Sequence, residues 1–531
     1  MLTPSSLLVL FAPRFLRWPL SALQSLRRDF PHLRIHGLVT GGANTVRLVK
    51  QSGLAEDVID VVAQEHEWLA AEGAESQLRQ WEEKLKPGAL SRIVLSDRHL
   101  SRWTVDAIVP ATPLSRASRK PQLVNRYLVG LLKTLDEFIE RKHVKAMFAY
   151  AVAGAPAMAM AELANLRQLP LFVLTTARFD GLQTIDKGNY ALEGLSRAAA
   201  LYRAALADGD LVASTMDRAR QHLLGFRASP AEPDYQSNQR PQLDAALSFS
   251  AIVDATRQLL KTASRSSARN LRKPTRWSEW SVRASRPLRA RIAKHYLESI
   301  EVSKLQGRFA YFPLHFDPEA STMVFAPMLA NQPQVVEAIV KALPPDMSLI
   351  VKEHPAMDGV RPIGFYKRIQ RLPRVRLVSA AVSSFELMAR CELTCSITGT
   401  AAWEAVLLRK PALVLGAFPF SVIEEGLVTC RNISMLPHDI ARALRMKPAD
   451  DRTLLTYIAA VYATSFRFPS SIYWTQVTSQ MVAENPRVID NMTTQLRDRL
   501  REEGLDGDRA KDPKAAPPVN NDFAGSSVST H

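Results

Sequence analysis

Cysteine is scarce in this chain. Cys391, Cys395 and Cys430 are the only three among 531 residues, too few for a disulfide framework and without the spacing of a zinc site. Reduced, buried thiols are expected. Long apolar runs are also missing, since none approaches the roughly 18 to 20 residues that a bilayer-spanning helix needs. The apolar stretch Leu7 to Phe11 lies between Pro4 and Pro13 with no basic segment before it, unlike a secretory leader. A cytoplasmic chain is the expectation. Acidic residues are outnumbered, 52 Asp and Glu against 68 Lys and Arg, a formal net charge of +16. That imbalance calls for an anionic partner: a nucleotide, an anionic lipid, a polyanionic glycan or a nucleic acid. No nucleic-acid recognition motif accompanies the charge, so nucleic acid is not expected.

What is present is globular in kind, with 47% hydrophobic residues, which excludes a fibrous or wholly disordered chain. The length is too great for one core, and two α/β domains of roughly 200 residues each are expected. In the first, Ser6 to Ala12 reads as a strand, Leu20 to Phe30 as an amphipathic helix and Leu33 to Val39 as a second strand, the start of a βαβ wind. The turn Thr40-Gly41-Gly42 is placed to line an interdomain cleft, although it lacks the GxGxxG spacing. Residues 61 to 140 read as largely helical. A further wind runs through Ala146 to Tyr150, Pro156 to Gln168 and Pro170 to Thr175, ending in the loop 176 to 181.

The most informative stretch is 309 to 416. Phe309 to Leu314 reads as a strand ending on His315, Asp317 and Glu319, and Leu349 to Lys352 as a strand ending on Glu353, His354 and Pro355. In open parallel sheets ligands bind outside the carboxyl ends of the strands, so both clusters should face one crevice. Thr398-Gly399-Thr400 then precedes the helix-forming run Ala401 to Ala405. Its free N–H groups and dipole suit a phosphate, Gly399 permits close approach, and Thr398 or Thr400 can add a hydroxyl. Glu404 stands one turn inside that helix, where it can accept from a ribose or sugar hydroxyl or simply complement the helix dipole.

The composition changes between about 226 and 304. Eleven basic residues run from Lys261 to Lys294, with Glu279 the only acid and with Trp277 and Trp280 among them. Such a segment fits either a solvated linker or a contact with anionic lipid headgroups. The expected organisation is therefore a first Rossmann-like domain over 1–225, a basic linker over 226–304, a second Rossmann-like domain over 305–450 and C-terminal helices over 451–503, with a crossing back to the first domain as one option. A disordered tail over 504–531 completes it.

The segments HFDPEAST, KEHP and SITGTAAWEAVLLRKPALVLG together resemble the capsular polysaccharide biosynthesis proteins, the group that includes bacterial Kdo transferases, and more distantly the bacterial sialyltransferases. The resemblance is best over residues 305 to 440. It implies a GT-B fold, two Rossmann-like domains facing across a cleft, with a nucleotide-sugar donor held mainly by the second. It also implies that His354-Pro355 meets the phosphate of a CMP-activated sugar and that Ser396, Thr398 and Thr400 assist. The family's acidic pair before a glycine is matched in one carboxylate by Phe179-Asp180-Gly181, which makes Asp180, or failing it Asp186, the candidate base.

The expected activity is transfer of a CMP-activated acidic sugar such as Kdo to a lipid-linked glycan, at the inner membrane surface. Asp180, His354 and Glu319 are the catalytic candidates. Donor binding falls to His315, Lys352, Glu353, Pro355, Ser396, Thr398, Gly399, Thr400 and Glu404, and the acceptor side to Gly41, Gly42 and Arg178. Asp208-Gly209-Asp210 and Asp506-Gly507-Asp508 mimic a DxD sequence, but no catalytic metal and no cofactor beyond the donor are expected. The alternatives left open are a UDP-sugar transferase or 2-epimerase, and a non-catalytic scaffold of polysaccharide export.

Overall fold

A computed structural model of the protein describes residues 5–101, 110–177, 179, 181–188, 196–208, 213–230, 250–261, 270–416, 418–468 and 478–505. Among the described residues, thirteen strands form two sheets. The first seven-stranded sheet takes β1 (Ser6–Phe11), β2 (Arg34–Val39), β3 (Ala55–Asp60), β4 (Ala146–Ala149), β5 (Leu171–Thr176) and β6 (Leu182–Lys187). The second, six-stranded, takes β7 (Arg308–Pro313), β8 (Met347–Lys352), β9 (Val375–Val378), β10 (Leu393–Ser396), β11 (Ala412–Val414) and β12 (Leu427–Thr429). The last strand, β13 (Phe466–Arg467), returns to the edge of the first sheet.

Period-two side-chain alternation explains why these segments are strands covered on both faces. Leu7, Val9 and Phe11 of β1 enter one core, shared with Trp18, Leu23 and Leu26 of the helix Arg17–Asp29. Leu8 and Leu10 enter the opposite core with Leu131, Leu132 and Leu135 of the helix Pro121–Arg141. In β7, Phe309 and Tyr311 face one core and Ala310 and Phe312 the other.

The strand orders position the site. The second sheet runs β9-β8-β7-β10-β11-β12 with every pairing parallel, the 3-2-1-4-5-6 order of a doubly wound dinucleotide-binding fold. The chain reverses direction between β7 and β10, so a crevice opens at their carboxyl ends. The first sheet repeats the order as β3-β2-β1-β4-β5, with β6 and β13 added antiparallel. Its own switch point lies between β1 and β4. The two Rossmann-like sheets, facing across a cleft, make this the GT-B arrangement.

One departure from the sequence reading has a clear cause. The helices Ser196–Asp208 and Ala213–Ala228, inside the first expected unit, bury Ala198, Tyr202, Ala219 and Leu223 in the core that holds Trp403 and Tyr457 beside the second sheet. A boundary at 225 separates them from the apolar surface they cover. The C-terminal helix Pro486–Glu502 lies on the first sheet's side, where Met492, Leu496 and Leu500 join the core of Leu7 and Val9 and Arg497 pairs with Asp29 at 3.0 Å.

Over the described residues 270–294, the basic segment is a docked strap rather than a solvated linker. Arg272 is sunk into the first domain, donating to Glu65 at 2.5 Å, Asp97 at 2.9 Å and the Tyr127 hydroxyl at 2.6 Å. Burial alone would raise the Asp97 carboxyl, but Arg272 and His99 hold it lower than usual, and Arg272 is raised well above its ordinary value by the same partners. Further on, the helix Arg276–Ala293 lies against the second domain, with Arg286 donating to the carbonyls of Asp358 and Ala356 and Arg289 to that of Val360. Three arginines of the segment that was read as either a linker or a lipid contact therefore face protein carbonyls and carboxylates.

Candidate functional site

The cleft at the ends of β7, β8 and β10 has a volume of about 140 Å³ and gathers His315, Glu319, Lys352, Glu353, His354, Pro355, Thr398, Gly399, Thr400 and Glu404 along its wall. Three separate stretches of chain thus meet at one place. Ser396 is fully buried behind that wall, its hydroxyl accepting from the Gly399 amide at 2.9 Å.

Each part is positioned by local chemistry. His354 caps the short 3-10 turn Pro355–Met357, its Nδ1 accepting from the Ala356 amide at 3.2 Å. That bond leaves the neutral ring's proton on Nε2, a donor suited to a phosphate oxygen. Burial, and then the cations Arg361 and Lys352, push the His354 imidazole down to about 4, so near neutral pH it acts as an uncharged donor. The turn is braced from behind. Arg361, fully buried, holds both Glu353 oxygens at 3.1 Å and donates to the His315 carbonyl at 2.5 Å, while Glu353 accepts from the His354 amide at 2.6 Å. Glu353 is thereby committed to holding the loop.

The β10 turn is fixed by His315, whose Nε2 accepts from the Thr398 amide at 3.3 Å and stands 3.4 Å from the Ser396 hydroxyl. Thr398 in turn donates to the Ser321 carbonyl at 2.8 Å. A Cβ on Gly399 would lie 2.8 Å from the Ser396 oxygen and 3.1 Å from His315 Nε2, which is why only glycine fits the turn. No N-cap side chain caps the helix Thr400–Leu407 that follows, and Gly399, Thr400 and Ala401 at its start line the cleft, where free leading amides are available to an anion. Glu319 accepts from the Ser321 hydroxyl at 2.7 Å. Its neighbour Asp317 is pushed up to about 6 by burial, with Arg361 opposing and Glu319 adding to the shift.

The sequence reading missed several residues of this wall. Phe316 tilts over the His354 ring at 5.9 Å between centroids, and Tyr311, Ser321, Ser384 and Phe385 also line the cleft. A lone serine or aromatic residue carries no spacing signal of its own, and Arg361 lacked one because its partner lies eight residues earlier across a turn.

The expected acceptor side is placed differently. Arg178 and Asp180 lie outside the described residues. Asp186 is buried on β6, accepting from the Ser196 hydroxyl at 2.9 Å and the Arg197 amide at 3.3 Å, a role in holding the following helix. Gly41 and Gly42 form the turn into the helix Ala43–Gln51. A Cβ on Gly41 would lie 2.5 Å from Pro13, and Gly42 has φ +72°, so both serve backbone geometry. Their neighbour Thr40 lines a second, polar cavity of about 470 Å³ with Asp97, His99, Gly154, Arg272 and Glu319. Glu319 stands on the walls of both cavities. His99 there donates its backbone N–H to Asp97 at 2.8 Å, and burial pushes its ring down to about 4.

Residues 324–450 match the family model of the capsule polysaccharide biosynthesis proteins. No curated protein sequence matches the chain. Among solved structures, the β-Kdo 2,7 transferase of Thermosulfurimonas dismutans KpsC is similar at 10% identity over 62% of this chain and 80% of that one, with a TM-score of 0.32. The β-Kdo 2,4 transferase of the same organism's KpsC is similar at 12% identity over 65% and 87%, with a TM-score of 0.31. The UDP-GlcNAc 2-epimerase of Methanocaldococcus jannaschii, in complex with UDP-GlcNAc and UDP, is similar at 12% identity over 86% and 99%, with a TM-score of 0.24. The matched segment begins just beyond Glu319 and includes the strand-end loops of His354 and Thr400. Over residues 324–450, less than half of its length, the chain is similar to the capsule polysaccharide biosynthesis proteins.

Proposed function

We propose that the protein is a glycosyltransferase of surface polysaccharide assembly that takes a nucleotide-activated acidic sugar, a CMP-activated one such as Kdo, and transfers it to a lipid-linked glycan. The observation that carries this reading is the convergence of His354, Lys352 and the uncapped helix Thr400–Leu407 at the switch point of a doubly wound sheet. Departure of the nucleotide places growing negative charge on its phosphate, and rate acceleration requires donors that bind this charge more strongly in the transition state. In this reading the His354 Nε2 proton, the Thr400 and Ala401 amides and the Lys352 ammonium supply them. Glu404 accepts from the ribose or sugar hydroxyls, and Glu319 is the one described carboxylate on the walls of both cavities.

Titration calorimetry with CMP, CDP, UMP and UDP tests the donor assignment. CMP is expected to bind selectively, and His354→Ala to weaken it by about 10- to 100-fold, the worth of one hydrogen bond to a charged group. Selectivity for uridine nucleotides would transfer the reading to a UDP-sugar enzyme. Absence of any nucleotide binding would leave a GT-B-shaped scaffold.

A further inference from the structure

Beyond the polar cavity lies a third one that neither the donor nor its chemistry uses. It has a volume of about 630 Å³ and its wall is chiefly apolar, carrying Leu78, Leu90, Val94, Val124, Leu128 and Met328. The volume falls in the range of sites that enclose small molecules. Leu95, the last residue of the helix Ala89–Leu95, lines this groove, and the next residue, Ser96, lines the polar cavity. On the opposite wall Val324 borders the polar cavity and Pro327, three residues on, borders the groove. Because Glu319 joins the polar cavity to the donor cleft, the three adjoin in sequence: phosphate-binding, hydroxyl-binding, apolar. Met328 stands at the groove with 85% of its surface exposed, so an apolar chain laid along the groove would remove its thioether from water.

We infer that the polar cavity and the apolar groove together form one amphiphile site. The sugar head of a lipid-linked acceptor occupies the cavity beside Glu319 and His99, and the first part of its hydrocarbon chain lies along Leu90, Val94 and Met328. This rests on the transferase reading for the direction of the head, which must reach the donor cleft, but not for the pairing of a polar with an apolar compartment. His99 suits a sugar hydroxyl, since its Nδ1 lies 3.3 Å from the Thr112 hydroxyl and its uncharged ring can donate or accept at the other nitrogen. Chain carbons in the groove replace water against the exposed thioether and aliphatic wall.

The test uses the full chain with methyl, octyl and dodecyl β-D-glucoside, each below its micellar concentration, and dodecylphosphocholine as an alkyl control. Affinity should rise by about fourfold for each methylene the groove covers, and exceed that for dodecylphosphocholine. Met328→Glu, at an exposed position that folding does not depend on, should abolish the chain-length dependence, and His99→Ala should remove the preference for the glucoside head. Equal affinity for methyl and dodecyl glucoside, chain-length dependence that survives Met328→Glu, or equal binding of the phosphocholine would overturn the proposal. A CMP titration of the same wild-type protein reads the donor site separately. If CMP fails to bind while chain length still matters, the transferase reading falls and the amphiphile site stands.

Discussion

Arg361 and Glu353 are fully buried and hold each other at 3.1 Å, a pairing whose desolvation cost is met only while both partners remain. The pair supports the His354 turn from below, so its loss should be felt in both stability and donor binding. Arg361→Met leaves Glu353 as an uncompensated buried charge and is expected to lower the unfolding free energy by about 3–5 kcal/mol. Arg361→Met combined with Glu353→Gln should recover much of that. Urea unfolding of the two variants decides the matter, and equal destabilisation in both would show that the charge is not the cause. Protonation adds a second consequence at this scale. His354 and His99 are both depressed to about 4, and His36, buried in the first sheet, is also lowered by burial. A histidine depressed on folding takes up its proton more readily in the unfolded chain, so its contribution is complete above about pH 6.5 and is lost as pH falls toward 4. Asp317, raised to about 6, acts in the opposite sense, its contribution present at low pH and lost as pH rises from about 4 to 6. His222 is lowered as well, and Glu65 and Asp358 are raised, in each case first by burial; each depressed histidine adds a fall of the denaturation midpoint between pH 6.5 and 4. His99→Gln should make that slope shallower, and an unchanged slope would contradict the assignment.

Among elements, the helix Arg276–Ala293 has two unlike faces. Its inner face carries Pro287, Ala290 and Ala293, with Arg286 and Arg289 reaching the carbonyls of residues 356 to 360, directly after His354. Gly359 must be glycine for this contact: its φ is +68° and a Cβ there would lie 2.7 Å from the Arg286 carbonyl oxygen. The outer face presents Trp277, Leu288 and Ile292, exposed by 69%, 57% and 42%, positions that fall within about 60° of one another at helical spacing. Arg283, Arg291 and Lys294 are near that stripe in the sequence, a pattern that suits the surface of an anionic bilayer. No helix among the described residues is long and apolar enough to cross a membrane, so any attachment by helices there would be peripheral. Vesicles of phosphatidylethanolamine with phosphatidylglycerol are expected to carry the protein through flotation at low salt. The Trp277→Ser, Leu288→Ser, Ile292→Ser triple variant should stay behind. Equal flotation of the triple variant would remove this helix from the membrane account.

For the whole molecule, the second domain was the legible half. Its cleft residues follow strands that are almost continuous apolar runs, each ending abruptly in polar residues, so His315, His354 and Thr400 announce their position by where the hydrophobic pattern stops. The first domain lacks that clarity because its cavity is assembled from distant pieces. Glu65 and Asp97 look like ordinary surface acids until Arg272 arrives from 207 and 175 residues further along. Tyr127, inside a long amphipathic helix, reads only as core. The strands β3, β6 and β9 were equally obscure, since AEDVID and LQTIDK mix charge with apolar residues and VRLV is only four residues long. They become strands because a neighbouring strand offers them a ladder, a tertiary cause that local pattern does not carry. The same dependence on distant partners explains why the C-terminal helix joins the first core: Met492, Leu496 and Leu500 complete a surface begun by Leu7 and Val9.

The central claim is that the cleft at the ends of β7, β8 and β10 holds the phosphate of a cytidine nucleotide. A crystal structure of the protein with CMP tests it most directly. The account predicts the phosphate within hydrogen-bonding distance of His354 Nε2 and of the Thr400 and Ala401 amides, with the ribose turned toward Glu404. CMP bound in another part of the molecule, or with its phosphate away from both His354 and the helix Thr400–Leu407, would contradict it.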